Sequence, residues 1–134
     1  MRTLEETKAY FEGDRFAVEN GAEILEAKDG MALCRMEITS HHRNARGTVM
    51  GGAIFTLADF TFAVAANTEE AACVTLTSEI HYLAPATGSY LKAQAEPIKD
   101  GRSVCHYRVL VWDDKEKKVA ELTVCGFKIE GEKP

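Results

Sequence analysis

The fold of this chain is decided by residues 47–68, GTVMGGAIFTLADFTFAVAANT. Apolar side chains occupy nearly every side of a helix drawn through about residues 51–67, and a helix that is apolar all round must be buried. After this helix, the alternation of apolar and polar residues predicts four strands. These strands are expected at about 72–83, 88–98, 102–112 and 118–129.

The residues before the central helix predict a helix and a hairpin. A capping box at Thr3 starts a helix over about 3–12, and Asp29-Gly30 joins strands at about 21–28 and 31–39. One sheet surrounds a helix only if it curls, or if a second subunit covers what remains. We therefore predict a single domain over 1–134 with an α+β fold. In it, a strongly curved antiparallel sheet wraps around a long buried central helix, in at least a dimer.

Composition and charge exclude several classes of partner. A net charge of -5 argues against nucleic acid or an anionic membrane as the main partner. The 47–68 stretch is too interrupted by polar residues to predict a membrane span, and the charged N-terminus lacks the apolar region of a signal peptide. The four cysteines form no CxxC pair, and no spacing of ligands indicates a metal. We expect a cytoplasmic protein without a metal.

Asp59 is the only ionisable residue between Arg46 and Glu69. Burial of a carboxylate raises its pKa, and a general base working near neutral pH needs such a shift. The Gly51-Gly52 pair lies where the helix begins, so its N–H groups have no acceptor in an earlier turn and could hold an oxyanion. The pattern suggests hydrolysis at a carbonyl. A structural aspartate, bonded by a neighbouring threonine or by a partner's backbone, is the alternative.

The run HRNARGTVMGG at 42–52, followed by Asp59, closely resembles the hotdog-fold acyl-CoA thioesterases of the phenylacetic-acid-degradation type. The resemblance covers nearly the whole chain, including the YLAPA turn, the KDGR hairpin and the final strand. It implies a hotdog fold and the hydrolysis of an acyl-CoA thioester to a carboxylic acid and free CoA. It implies no cofactor, since coenzyme A is part of the substrate. It also implies a homodimer at minimum, and a homotetramer.

The resemblance assigns four catalytic positions. Asp59 resembles the carboxylate that activates water or attacks the thioester, and Asn44 resembles the amide that orients the water or thioester. Gly51 corresponds to the backbone oxyanion donor. Thr75 corresponds to a hydroxyl that helps to hold the water in some members. Strand alternation places this threonine on the more polar face of its strand, with Thr77, Glu79 and His81.

Four further positions are expected to contact substrate: Gly52, Met50, His42 and Arg102. Met50 stands where the family often has histidine, and its side chain cannot donate a hydrogen bond to a carbonyl. Oxyanion stabilisation should therefore depend more on the Gly51 amide. For His42, the resemblance suggests a role in holding the loop more than a role in proton transfer. Arg102, in the KDGRS turn, is the candidate for meeting a CoA phosphate.

Helix geometry predicts a shared site independently of the family. Asp59 lies eight residues beyond Gly51, which is about 12 Å along a helix. No single carbonyl carbon can lie within ~3 Å of both groups in one chain. A site that uses both must therefore combine two subunits, and twofold symmetry gives two equivalent sites per dimer.

Two other functions are compatible with parts of the sequence. A hotdog hydratase or dehydratase needs a paired histidine and carboxylate, and the central helix offers no histidine. A non-catalytic acyl-CoA-binding module would need no general base, whereas this chain keeps Asp59. The acyl group is open: aromatic and medium-chain groups are both compatible with the sequence, because Phe55, Phe60, Phe62 and Tyr82 are either core residues or the lining of an acyl tunnel.

Overall fold

The computed structural model describes residues 1–69 and 72–129. The rest of the predicted domain, residues 70–71 and 130–134, lies outside the described residues. The elements are α1 (Leu4–Phe11), α2 (Arg15–Glu19), β1 (Ala22–Lys28), β2 (Met31–Glu37), α3 (Gly51–Ala66), β3 (Ala72–Tyr82), β4 (Tyr90–Asp100), β5 (Val104–Asp113) and β6 (Lys118–Ile129). A single 3₁₀ turn at Ser40–His42 precedes the loop that leads into α3.

The first helix and hairpin form for the reasons that the sequence indicates. The Thr3 hydroxyl accepts from the Glu6 N–H, and the Glu6 carboxylate accepts from the Thr3 N–H at 2.8 Å, which completes the capping box. Asp29 and Gly30 both have positive φ, at 53° and 80°, as the tight hairpin requires. The short helix α2 was not predicted, because five residues are too few for a periodic signal.

The six strands form one antiparallel sheet in the order β1-β2-β4-β5-β6-β3. Helix α3 contacts all six of them, so the sheet must curve around the helix. The predicted α+β architecture, a curved antiparallel sheet wrapped around a central helix, is confirmed. No helix among residues 1–69 and 72–129 is both long enough and apolar enough to cross a membrane.

One stripe of α3 is left incompletely covered by its own chain. Leu57, Ala58 and Phe62 are buried against the sheet. The opposite side is half-buried or exposed, and includes Gly52, Phe55, Thr56, Asp59 and Ala63. The helix is therefore not buried all round within one chain, and the stripe that stays open carries Asp59.

Strand β3 lies at the edge of the sheet and pairs only with β6 among the described strands. It is 11 residues long and exposes apolar side chains at Val74, Leu76 and Tyr82, which are 42%, 57% and 52% accessible. A long apolar edge strand is a template for pairing with another chain. The open edge and the open stripe of α3 are both surfaces that a second subunit could cover.

Candidate active site

The loop before α3 is organised by the side chain of Asn44. Its Oδ1 accepts from the N–H groups of Arg46 at 2.9 Å and Thr48 at 3.2 Å, and from the Thr48 hydroxyl at 3.3 Å. The Asn44 N–H donates to the Thr48 carbonyl at 2.8 Å. Gly47 supplies the positive φ of 87° at the tip of the loop. The Asx turn that asparagine favours is thus present.

The same side chain keeps a free donor. Asn44 is exposed, and its Nδ2 donates to no acceptor in the part of the chain that the structure describes. An amide has one acceptor and two donor hydrogens, so Oδ1 can hold the loop while Nδ2 is available to a ligand. The structural and the functional interpretations of Asn44 are therefore compatible.

His42 supports the loop from beneath. The ring is buried, its Nδ1 accepts from the Thr39 N–H at 3.0 Å, and its Nε2 lies 2.6 Å from the Asn20 carbonyl, to which it donates. Its backbone carbonyl accepts from the Met50 N–H at 2.8 Å. Both ring nitrogens are occupied by protein groups, which favours the architectural role over proton transfer.

The start of α3 presents two unused N–H groups. The Ala53 N–H donates to the Met50 carbonyl at 3.0 Å, but the N–H groups of Gly51 and Gly52 have no acceptor within the described ranges. The Gly51 carbonyl accepts from the Tyr82 hydroxyl at 3.1 Å. A Cβ at Gly51 would lie 3.1 Å from the Tyr82 ring, so glycine permits this close packing. The two amides and the helix dipole favour a negative charge at this point.

Asp59 lies two turns further along the helix without a partner. Its carboxylate forms no hydrogen bond or ion pair with any described residue, and Thr56 donates to the Gly52 carbonyl at 2.8 Å instead. Burial raises the pKa of the Asp59 carboxyl above its usual range, and the nearby negative charge of Asp14 raises that pKa further. A half-buried, unpaired carboxylate is suited to accept a proton from water.

The Asp59 carboxylate opens into a cleft of about 360 Å³, which we name the Asp59 cleft. Helix α2 covers one side of it, and α3 forms the other. Its lining includes Asp14, Phe16, Phe55 and Phe60. The sequence interpretation missed the contribution of α2, because a single short turn has no pattern that places it against a particular helix.

Thr75 lies on the opposite face of β3 from the predicted one. It pairs with Gly126, and Thr77 pairs with Cys125, so Leu76 is an extra residue that forms a β-bulge. The bulge inverts the alternation of the strand. The prediction that Thr75 shares a face with the polar residues Thr77, Glu79 and His81 was therefore wrong.

Thr75 lies on the face of the sheet that packs against α3. A Cβ at Gly126, its pairing partner, would lie 3.1 Å from the Phe62 ring. Thr75 is seven residues from Tyr82, about 23 Å along an extended strand. Within one chain, Thr75 thus lies level with the second half of α3 and far from Gly51.

The turn that carries Arg102 also lies far from Gly51. Lys128 donates to the Gly101 carbonyl at 2.8 Å and pairs with Cys73. The Cys73 N–H donates to Asn67, the C-cap of α3, at 3.0 Å. Since α3 has 16 residues and spans about 24 Å, one chain does not bring Arg102 to the start of its own helix.

A curved antiparallel sheet wrapped around a long central helix is the hotdog fold. Residues 46–120 match the family model of the thioesterase superfamily. The chain belongs to this superfamily. Within it, the chain is a thioesterase of the phenylacetic-acid-degradation type, and the resemblance stated from the sequence is confirmed.

Known proteins resemble this chain both in sequence and in structure. The acyl-coenzyme A thioesterase PaaI of Escherichia coli is 31% identical over 113 residues, which cover 84% of this chain and 81% of that one. The structure of E. coli PaaI superposes with a TM-score of 0.87 at 29% identity, over 92% of this chain and 90% of that chain. The structure of smu.793 from Streptococcus mutans, bound to acetyl CoA, has a TM-score of 0.79 at 25% identity, over 84% and 92%.

Proposed function

We propose that the protein hydrolyses acyl-CoA thioesters to a carboxylic acid and free CoA. The observation that carries this proposal is the unpaired, half-buried Asp59 carboxylate beside an open cleft. The unused amides at the start of α3 support it. So do an E. coli relative named as an acyl-coenzyme A thioesterase and a neighbour bound to acetyl CoA.

In the proposed reaction Asp59 takes a proton from water while the water oxygen attacks the thioester carbonyl carbon. The carbonyl oxygen becomes an oxyanion and accepts hydrogen bonds from the Gly51 amide, assisted by Gly52. The free Nδ2 of Asn44 donates to the thioester or to the water and fixes its orientation. The carbon–sulfur bond then breaks. Because a thiol has a pKa of about 8.5, the thiolate leaves without a strong general acid. Asp59 then gives the proton that it took from water to the thiolate or to solvent, which regenerates the base.

The proposed site requires a homodimer, because Asp59 and Gly51 are separated by two helical turns. Pairing of β3 with the partner's β3 would cover the exposed apolar edge, and the partner would also cover the open stripe of α3. In such a dimer Thr75 and Asp59 would come from one subunit, and Asn44 and Gly51 from the other. The homotetramer stays a prediction. Light scattering of the purified protein can measure the oligomeric state.

The activity is tested by following free thiol release from a panel of acyl-CoA thioesters with a thiol reagent. The panel should span acetyl, medium-chain, long-chain and aromatic acyl groups. Release of CoA with turnover supports the enzyme. Tight binding of acyl-CoA without turnover by folded protein would contradict hydrolysis and favour a binding module.

Asn44→Ala should lower kcat more than it raises KM, because an orienting donor acts mainly in the transition state. Asn44→Asp is the matched variant. Its carboxylate keeps the acceptor for Arg46 and Thr48 but removes the Nδ2 donor. Steady-state kinetics should show a large loss of kcat in both variants. An effect on KM alone, or near-normal kcat in Asn44→Asp, would limit Asn44 to binding or to loop structure.

Arg102→Ala should raise KM for acyl-CoA and leave KM for an acyl-pantetheine unchanged, since the latter lacks the nucleotide phosphates. In an antiparallel β3–β3 dimer, the partner's Arg102 turn would lie at the same end of the sheet as Gly51. Lys115→Ala is the control, because Lys115 is an exposed cation in a different turn. Equal effects of Arg102→Ala on both substrates would remove Arg102 from the ligand site.

A further inference from the structure

The first turn of α3 begins with two glycines and has no capping side chain. Met50, the N-cap residue, makes no side-chain hydrogen bond to this turn. Glycine has no Cβ, so its backbone is the least restricted of any residue. The directions in which the N–H groups of Gly51 and Gly52 point must therefore be fixed by bonds to the peptide units that contain them.

These two peptide units are held in different ways. The Gly51 N–H belongs to the unit that carries the Met50 carbonyl, and this carbonyl accepts from the Ala53 N–H at 3.0 Å. The Gly52 N–H belongs to the unit that carries the Gly51 carbonyl, and this carbonyl accepts from the Tyr82 hydroxyl at 3.1 Å. Within the described chain, Tyr82 is the only side chain that forms a hydrogen bond with this second unit.

Tyr82 is held in place by the sheet. It is the last residue of β3 and pairs with Ala120 of β6. The N–H of the next residue, Leu83, donates to the Val119 carbonyl at 2.8 Å. A Cβ at Gly51 would lie 3.1 Å from Cζ of Tyr82 and 3.2 Å from its hydroxyl oxygen, so the ring lies directly against the Gly51 backbone. The bond therefore ties the start of α3 to the end of a paired strand.

A hydrogen bond to the Gly51 carbonyl also sets the direction of the Gly52 N–H. The peptide unit is planar and trans, so its C=O and N–H point in opposite directions and cannot turn independently. A donor on the carbonyl also polarises the unit, which strengthens its N–H as a donor. The Tyr82 hydroxyl therefore acts on one end of a rigid unit, and the other end of that unit is an unused donor at the start of the helix.

We propose that Tyr82 is a positioning residue of the oxyanion site: its hydroxyl holds the peptide unit between Gly51 and Gly52 so that the Gly52 N–H points at the developing oxyanion. This inference rests on the proposed function, because it takes the start of α3 as the place where the thioester oxygen becomes charged. The oxyanion forms only when water attacks. A misdirected donor therefore weakens the transition state more than it weakens substrate binding.

The first test is Tyr82→Phe, which keeps the ring against Gly51 and removes only the hydroxyl. With the best substrate of the acyl-CoA panel, kcat should fall ~10-fold, the scale of one hydrogen bond, and KM should change less than about twofold. Tyr10→Phe is the matched control. Tyr10 is 44% exposed, close to the 52% of Tyr82, and its hydroxyl has no partner among the described residues. Near-normal kcat in Tyr82→Phe, or an effect on KM alone, would overturn the proposal.

A double-mutant cycle tests whether Tyr82 acts through this peptide unit. Gly51→Ala keeps every amide but places a methyl group 3.1 Å from the Tyr82 ring, which must move away and lose its bond to the carbonyl. Addition of Tyr82→Phe to Gly51→Ala should therefore lower kcat by less than about twofold. If the two losses multiply instead, Tyr82 acts independently of this unit and the proposal is wrong.

Amide NMR tests the positioning without catalysis. The chain has ten glycines, so labelling only glycine with nitrogen-15 gives a simple spectrum, in which the Gly52 peak is assigned by its loss in Gly52→Ala. The Gly52 peak should shift in Tyr82→Phe and stay in place in Tyr10→Phe. An unchanged Gly52 peak in Tyr82→Phe would overturn the proposal. A shifted Gly52 peak in a protein that releases CoA from no thioester would contradict the proposed hydrolysis and still support the hold of Tyr82 on the peptide unit.

Discussion

Replacement of Asp59 with asparagine should reduce kcat for thioester hydrolysis at least ~100-fold, the usual scale for loss of a general base. The amide has nearly the same shape but cannot accept the proton of the attacking water. Asp59 makes no hydrogen bond in the described chain, so the substitution breaks no contact there. Thiol-release assays with the best substrate of the acyl-CoA panel measure the effect.

The control for this prediction is Glu79→Gln, which makes the same kind of change, from carboxylate to amide, at an exposed residue of β3. Glu79 is exposed and pairs with Thr123 on the face of the sheet away from α3, so activity should be retained. Near-normal turnover of folded Asp59→Asn protein, or a comparable loss in Glu79→Gln, would contradict the assignment of Asp59 as the base.

The raised pKa of Asp59 also determines how the ionisation of this residue changes the stability of the fold with pH. The folded protein binds this proton more tightly than the unfolded chain, whose carboxyl has the usual pKa of about 3.8. Ionisation of Asp59 therefore costs stability as pH rises above 3.8, and the cost is complete above the raised pKa. Asp59→Asn should accordingly keep or raise the melting temperature at neutral pH. The acid limb of the kcat/KM profile of the unmodified enzyme should lie above pH 3.8 for the same reason.

The sequence predicted those features that depend on neighbouring residues. The central helix runs from Gly51 to Ala66, because this stretch is mostly apolar and free of proline, and because the loop before it is closed by Asn44. The hairpin forms at Asp29-Gly30, because these residues adopt positive φ at little cost. The order of helices and strands then left few ways to bury the helix. The reaction was predicted from the motif at 42–52 with Asp59, since residue spacing alone does not assign a reaction.

Other features depend on long-range geometry that no local pattern carries. The bulge at Leu76 inverts the face on which Thr75 lies, and strand alternation gives no sign of an extra residue. The position of Arg102 depends on tertiary contacts, because its turn is linked through Lys128 and Cys73 to the C-terminal end of α3. The placement of α2 over Asp59 is set by tertiary packing. At these three points the sequence alone does not determine where the residues of the candidate site lie.

A site shared between two subunits predicts that two inactive variants restore thioesterase activity when they are mixed. Asp59→Asn removes the base, and Asn44→Asp removes the Nδ2 donor of the loop before α3 while it keeps the acceptor that holds this loop. If each site combines Asp59 of one subunit with Asn44 and Gly51 of its partner, a mixed dimer has one site with both lesions and one site with neither. When the two proteins are unfolded together and refolded in equal amounts, about half of the dimers are mixed, so activity should reach about a quarter of the unmodified level.

The outcome depends on geometry and not on the chemistry of either residue. Gly51 and Asp59 are rigidly separated by eight residues of one helix, about 12 Å, so one chain cannot bring both to one carbonyl carbon. If both groups did serve the same carbon from one chain, every site in the mixture would keep one lesion, and refolding would restore nothing. Refolding each variant alone is the control, and it should give no gain. Recovery only in the mixture would show that Asp59 and Asn44 of each site come from different subunits.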